Sequence, residues 1–121
     1  MSMSEPVVLD PAALDRLKEW GGEELLSQMV RFFLDNSPER MEQIRGGVDG
    51  GDIRESEKGA HSLKSSAANL GAEELRALAT SMERHASEKE DAAVAALLPE
   101  LEGAYARARA ALEEIAREAK P

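Results

Sequence analysis

The segment Gly59-Ala60-His61-Ser62-Leu63-Lys64-Ser65-Ser66-Ala67-Ala68-Asn69-Leu70-Gly71-Ala72 sets one imidazole among small side chains, with a lysine three residues later. A neutral imidazole is a nucleophile and a lysine a fixed positive charge, so the pair suits an anionic group such as phosphoryl. On a helical wheel Ile53, Ser56, Ala60, Leu63, Ala67 and Leu70 share one face, the core side. His61 then lies roughly 140° from the centre of that face and offers its ring to solvent from mid-helix. Ser65 and Ala68 follow on the outward side, one and two turns on, and their small size leaves Nε2 open to a second macromolecule. Arg54 and Lys58 precede His61 in the same sector and complete a local basic patch. Taken singly, each residue has a plainer role. An exposed histidine is most often a solvated surface residue, Lys64 a surface charge, Ser62, Ser65 and Ser66 ordinary helix-surface residues, and Gly59 a point where two helices approach closely.

The elements that must position this segment are helices. Ala, Glu, Lys, Leu and Arg make up over half of the 121 residues, whereas Val, Ile and Thr number only nine, which favours long helices over a sheet core. Residues 1–9 read as a lead and residues 10–119 as one domain. Asp10-Pro11 is an N-cap acceptor followed by proline at the first helical position, and Leu14 and Leu17 carry a short stripe that stops at Gly21-Gly22. From Glu23 the apolar pattern restarts and runs to the glycine cluster beginning at Gly46, with Pro38 predicted to kink the helix or divide it. Between Leu25 and Leu34 the apolar positions spread over roughly 200° of the helix, wider than one core stripe requires. Either the short N-terminal helix covers the excess or the face around Phe32 and Phe33 is a docking surface for another protein. Asp52 caps the next helix and Gly71 ends it in the left-handed conformation. Glu73 and Glu74 open another helix, and Asp91 caps the last, which Pro99 should bend or restart. The fold class is all-α: an antiparallel four-helix bundle with a short additional N-terminal helix.

Composition removes several kinds of function. The net charge of −9 and only four aromatic residues argue against a nucleic-acid platform. With no cysteine there is no disulfide, zinc-thiolate site or thiol catalysis. Neither a membrane span nor a signal peptide is apparent, so a soluble cytoplasmic protein is expected. There is no Gly-rich phosphate loop and no room for a kinase domain. His85, beside Arg84, has no partner at metal-ligand spacing; no metal site is expected, and the ring is assigned to the end of its helix.

As a whole, the segment resembles the signature of the histidine-containing phosphotransfer (HPt) domain, approximately Ala-His-x-Leu-Lys-Gly-small-small-x-x-hydrophobic-Gly. Here it reads Ala60, His61, Leu63, Lys64, Ser65, Ser66, Ala67, Leu70 and Gly71, departing at Ser65, where glycine is frequent. Upstream Phe33, Leu34, Pro38 and Met41, a Gly51-Asp52 turn and the downstream pair Met82-Glu83 extend the likeness over roughly residues 9–116. The resemblance implies that His61 is the phosphoacceptor, that Lys64 assists at the phosphoryl oxygens and that Ser65 leaves room for the partner. It also implies that Glu83 orients the imidazole by accepting the Nδ1 proton. Partner contacts are expected from Arg54, Lys58, Ser65, Ala68 and Phe33. The protein would be a monomeric phosphorelay intermediate between receiver domains of a hybrid sensor kinase and a response regulator. It would have no cofactor of its own, Mg²⁺ being supplied by the receiver. The competing readings are a helical adaptor that binds through Phe32 and Phe33 without phosphotransfer, and the substrate bundle of a longer autokinase.

Overall fold

A computed structural model of the chain describes residues 7–118, which form four helices: α1 (Pro11–Gly50), α2 (Ile53–Asn69), α3 (Glu73–Ser87) and α4 (Asp91–Glu118). The connections are two or three residues long, so consecutive helices run antiparallel. Each packs on the next, and α4 returns to α1 to close the bundle. No strand occurs among the described residues. The lead 1–9 and the domain end at residue 119 fall partly outside them; within them, the Val7 carbonyl accepts from Glu74 N, and Asp10 N donates to Gly71 O at 2.8 Å.

The local signals act as their chemistry demands. Asp10 accepts from Ala12 N at 3.0 Å, with Pro11 starting the helix. Asp52 caps α2 through Glu55 N, and Gly71 (φ 69°) turns the chain out of it, with Ala72 N donating to Ala67 O. The expected short N-terminal helix is the 11–21 portion of α1, offset from the rest by Gly22 at φ 73°, ψ −170°. That region of backbone space is essentially closed to residues with a Cβ.

Neither proline divides its helix. α1 continues through Pro38 and α4 through Pro99 with no non-helical residue at either. Each proline is exposed, and its missing N–H leaves the carbonyl four residues earlier, of Leu34 or Ala95, without that intrahelical partner. Asp91 is the first residue of α4 and not its cap; Val94 N donates to the Glu90 carbonyl one residue earlier.

The core is built from Val30, Phe33, Ile44, Leu63, Leu75, Leu101 and Leu112 with their neighbours. Phe33 is 2% exposed, with its ring 6.2 Å from that of Tyr105, so it belongs to the core and not to the partner surface assigned to it. The residue left outside is Phe32, 61% exposed. The adaptor reading thereby loses one of its two anchors. Leu25, Met29 and Leu34 are half-buried against the core, so most of the wide apolar arc is covered within the chain.

Candidate functional site

α1 and α2 cross closely where Gly59 faces α1: a Cβ on Gly59 would stand 2.7 Å from Ile44 Cγ1. This close approach fixes the rotation of α2, and with it the direction of each outward side chain. Ser56 is fully buried on the same helix and donates to the Ile44 carbonyl at 3.0 Å, so its hydroxyl is satisfied. Ala60, Leu63 and Ala67 point inward. Arg54, Lys58, His61, Ser65 and Ala68 are exposed on the opposite side, as the wheel requires.

Across the seam, α3 buries Leu75, Ala79, Met82 and Ala86. Alanines on both helices let the backbones come close. Glu83, next to buried Met82, therefore reaches the flank of α2. Its Oε2 lies 2.7 Å from His61 Nδ1, and its Oε1 lies 2.6 Å from Lys64 Nζ. Burial raises the Glu83 carboxyl, yet hydrogen bonds from Lys64 and His61, together with their charges, outweigh it and hold the group below the usual carboxylate range.

An ionised carboxylate only accepts, so Nδ1 must be the donor. In the neutral ring the Nε2 lone pair is then left on a side chain that is 61% exposed, in a depression lined by Glu57, Lys58, His61, Ser62 and Glu83. Lys64 lies turned toward Glu83 and away from open solvent, its side chain 31% exposed. Lys58 is paired with Glu55 at 3.5 Å. The arrangement can present a neutral, oriented nucleophile to an electrophile brought from outside, with cations at its edge.

One surface went unread in the sequence. The 11–21 portion of α1 lies against the end of α2, and a groove between them is lined by Ala13, Arg16, Leu17, Trp20, Leu25, Met29, Ala68 and Asn69. Trp20 is 73% exposed at this groove, which adjoins the His61 face through Ala68. A tryptophan beside a Gly-Gly break was the available signal, but its neighbours are set by tertiary contact.

His85 differs from its expectation in detail. It stands in the last turn of α3, where its Nδ1 hydrogen-bonds Glu90 in the following turn, and its carbonyl accepts from Glu90 N at 3.0 Å. That hydrogen bond holds the exposed Glu90 carboxyl below the usual range. Among the described residues, no group of three or more His, Asp or Glu side chains is placed to hold a metal ion.

The family model of the Hpt domain matches residues 28–119. The chain belongs to the Hpt domain family. Histidine phosphotransfer in a phosphorelay is its function, and proteins of this family interact with receiver domains. Among solved structures, the histidine-containing phosphotransfer protein B (HptB) of Pseudomonas aeruginosa PAO1 is similar to this HPt chain, with a TM-score of 0.86 and 26% identity. The similarity covers 95% of this chain and 98% of that one. A rice chain described as a histidine-containing phosphotransfer protein is similar with a TM-score of 0.80 over 93% of this chain and 81% of that one; at 15% identity it bears on the fold alone. No curated protein matches. The family match begins at residue 28, later than the start near residue 9 read from the sequence, so the portion of α1 carrying Trp20 lies outside it. No helix among the described residues is long and apolar enough to cross a membrane.

Proposed function

We propose that His61 carries the phosphoryl group, taking it from a receiver-domain phosphoaspartate of a hybrid sensor kinase and passing it to a response-regulator aspartate. The observation that supports this most is the pairing of an exposed ring with an engaged Nδ1: Nδ1 is bound to Glu83 at 2.7 Å, and the side chain that carries Nε2 is 61% exposed. In-line attack by Nε2 on the phosphoaspartate needs no dedicated base, because the attacking nitrogen already bears its lone pair. Lys64 stands one turn from His61 and can exchange Glu83 for the arriving phosphoryl oxygens. Arg54 is exposed on the same face, and Lys58, paired with Glu55 at 3.5 Å, stands beside Glu57 at the edge of the depression; both cations can turn to the acidic rim of a receiver site. The receiver would supply Mg²⁺, which neutralises charge on the phosphoryl oxygens during transfer.

Docking would use the outward side of α2. Ser65 and Ala68 leave it flat, and the groove holding Trp20, Leu25 and Met29 supplies the apolar contact that Phe33 cannot. A monomer leaves this face free.

The test is transfer from a phosphorylated receiver with Mg²⁺, read as acid-labile, base-stable phosphate on this chain. The expected result is labelling of the parent protein and none of His61→Gln with its helical circular dichroism intact. Equal labelling of the two proteins would overturn the assignment.

A further inference from the structure

We propose that Glu83 keeps the Nδ1 proton on His61 throughout the transfer cycle, so that the phosphorylated ring stays cationic and its phosphoryl group stays transferable. The proposal rests on His61 being the phosphorylated residue. It goes beyond orientation of the ring, because a neutral amide at position 83 would also accept from Nδ1 and fix the tautomer. The side chain here is an acid, and it is bound on both oxygens, to the imidazole at 2.7 Å and to the Lys64 ammonium at 2.6 Å.

The proton count gives that charge a purpose. In the forward step the Nε2 lone pair forms the N–P bond while the P–O bond of the phosphoaspartate breaks, its electron pair leaving on the aspartate. The ring still holds its Nδ1 proton, so it becomes a phosphoimidazolium with one positive charge. In the return step a receiver carboxylate attacks phosphorus, the N–P pair goes back to Nε2, and a neutral imidazole is restored with its proton unmoved. If the charged ring lost the Nδ1 proton to water, the leaving group would be an imidazolate, a far stronger base, and transfer would wait for reprotonation. An anion whose oxygen stands 2.7 Å from the Nδ1 that holds that proton favours the cationic form.

The surroundings leave Glu83 as the closest opposite charge to the ring. On α2 the facing groups are Glu57 and Lys58 at the edge of the depression, and Lys64 on the other oxygen of Glu83. Lys58 is itself paired with Glu55. From α1, the Arg40 backbone packs at Gly59, two residues before His61, with its guanidinium donating to Gln43, and Arg16 is placed against Ala68 and Asn69, two turns along α2. α3 contributes Glu83 to the depression, and α4 packs on α1 and α3.

The experiment uses the intact chain and its Glu83→Gln variant, both charged chemically with phosphoramidate so that loading does not depend on a receiver. Transfer to a receiver with Mg²⁺ is followed from about pH 6 to about pH 10, and nitrogen-15 NMR follows Nδ1 of the phosphorylated ring over the same range. In Glu83→Gln, both the loss of transfer and the Nδ1 titration should move to lower pH by about one pH unit, roughly a tenfold change in proton affinity. Coincident midpoints, with transfer slowed by the same factor at every pH, would mean that Glu83 only orients the ring and would overturn the proposal. The NMR titration of the parent tests it without any variant: an Nδ1 proton lost at or below neutral pH overturns it as well. Labelling of His61→Gln by a receiver would sink the phosphoacceptor assignment itself, a result distinct from either of these.

Discussion

The chain has two histidines, and each ring is hydrogen-bonded through Nδ1 to a glutamate whose pKa is depressed. Only the surroundings separate them. His85 and Glu90 are five residues apart and close a single turn, with the ring 26% exposed beside the end of its own helix. His61 and Glu83 are 22 residues apart on two helices, and the ring is 61% exposed mid-helix among small side chains. A histidine–carboxylate pair is therefore not a site by itself. What distinguishes His61 is that its orienting group comes from a second helix, which leaves its own helix free to present Nε2 to a partner.

The sharpest way to break the contrast is to exchange the two rings' fates. His61→Gln should abolish receiver-dependent labelling, while His85→Gln should leave the transfer rate within about twofold, a difference of a few tenths of a kcal/mol. Comparable losses in both variants, by rapid-quench labelling, would erase the distinction. Next in size, Ala68→Trp should slow transfer from a receiver by about a hundredfold by displacing the docked partner. Charging by phosphoramidate should fall much less, because that small donor reaches Nε2 without the surface. Beneath the site, Ala60 is fully buried, and Ala60→Leu should overpack the core at a cost of about 1–3 kcal/mol, read as a lower urea midpoint.

The smallest effect is electrostatic. Glu83 has a folded pKa below its ordinary value of 4.5, so its contribution to stability is fully present above that value and is lost as pH falls through the lowered one. Urea midpoints of the parent and of Glu83→Gln should accordingly converge as the solution is acidified below about pH 4. A gap that persists into strong acid would show that ionisation of Glu83 has no part in it.

Much of the site was legible because it depends on one helix. The exposure of His61, the burial of Ala60, Leu63 and Ala67, and the caps at Asp10, Asp52 and Gly71 follow from periodicity and backbone chemistry. Glu83 came from the family resemblance; spacing within a helix carries no information about a neighbour 22 residues away. The separation of Phe32 from Phe33, read together as one docking face but split between surface and core, shows the limit differently. Adjacent residues on an apolar arc of about 200° differ by only ~100° in direction, and which edge is covered depends on where α4 lies. Pro38 and Pro99 left two outcomes open, a bent helix or a divided one, and the continuity of α1 and α4 removes the division.

Trp20 is the single tryptophan of the chain, and it stands exposed at the groove that adjoins the His61 face. The protein thus carries its own optical probe where a receiver would dock. A partner that covers the indole would blue-shift and change its emission, so affinities for different receivers can be ranked with unlabelled protein, before any phosphate is moved.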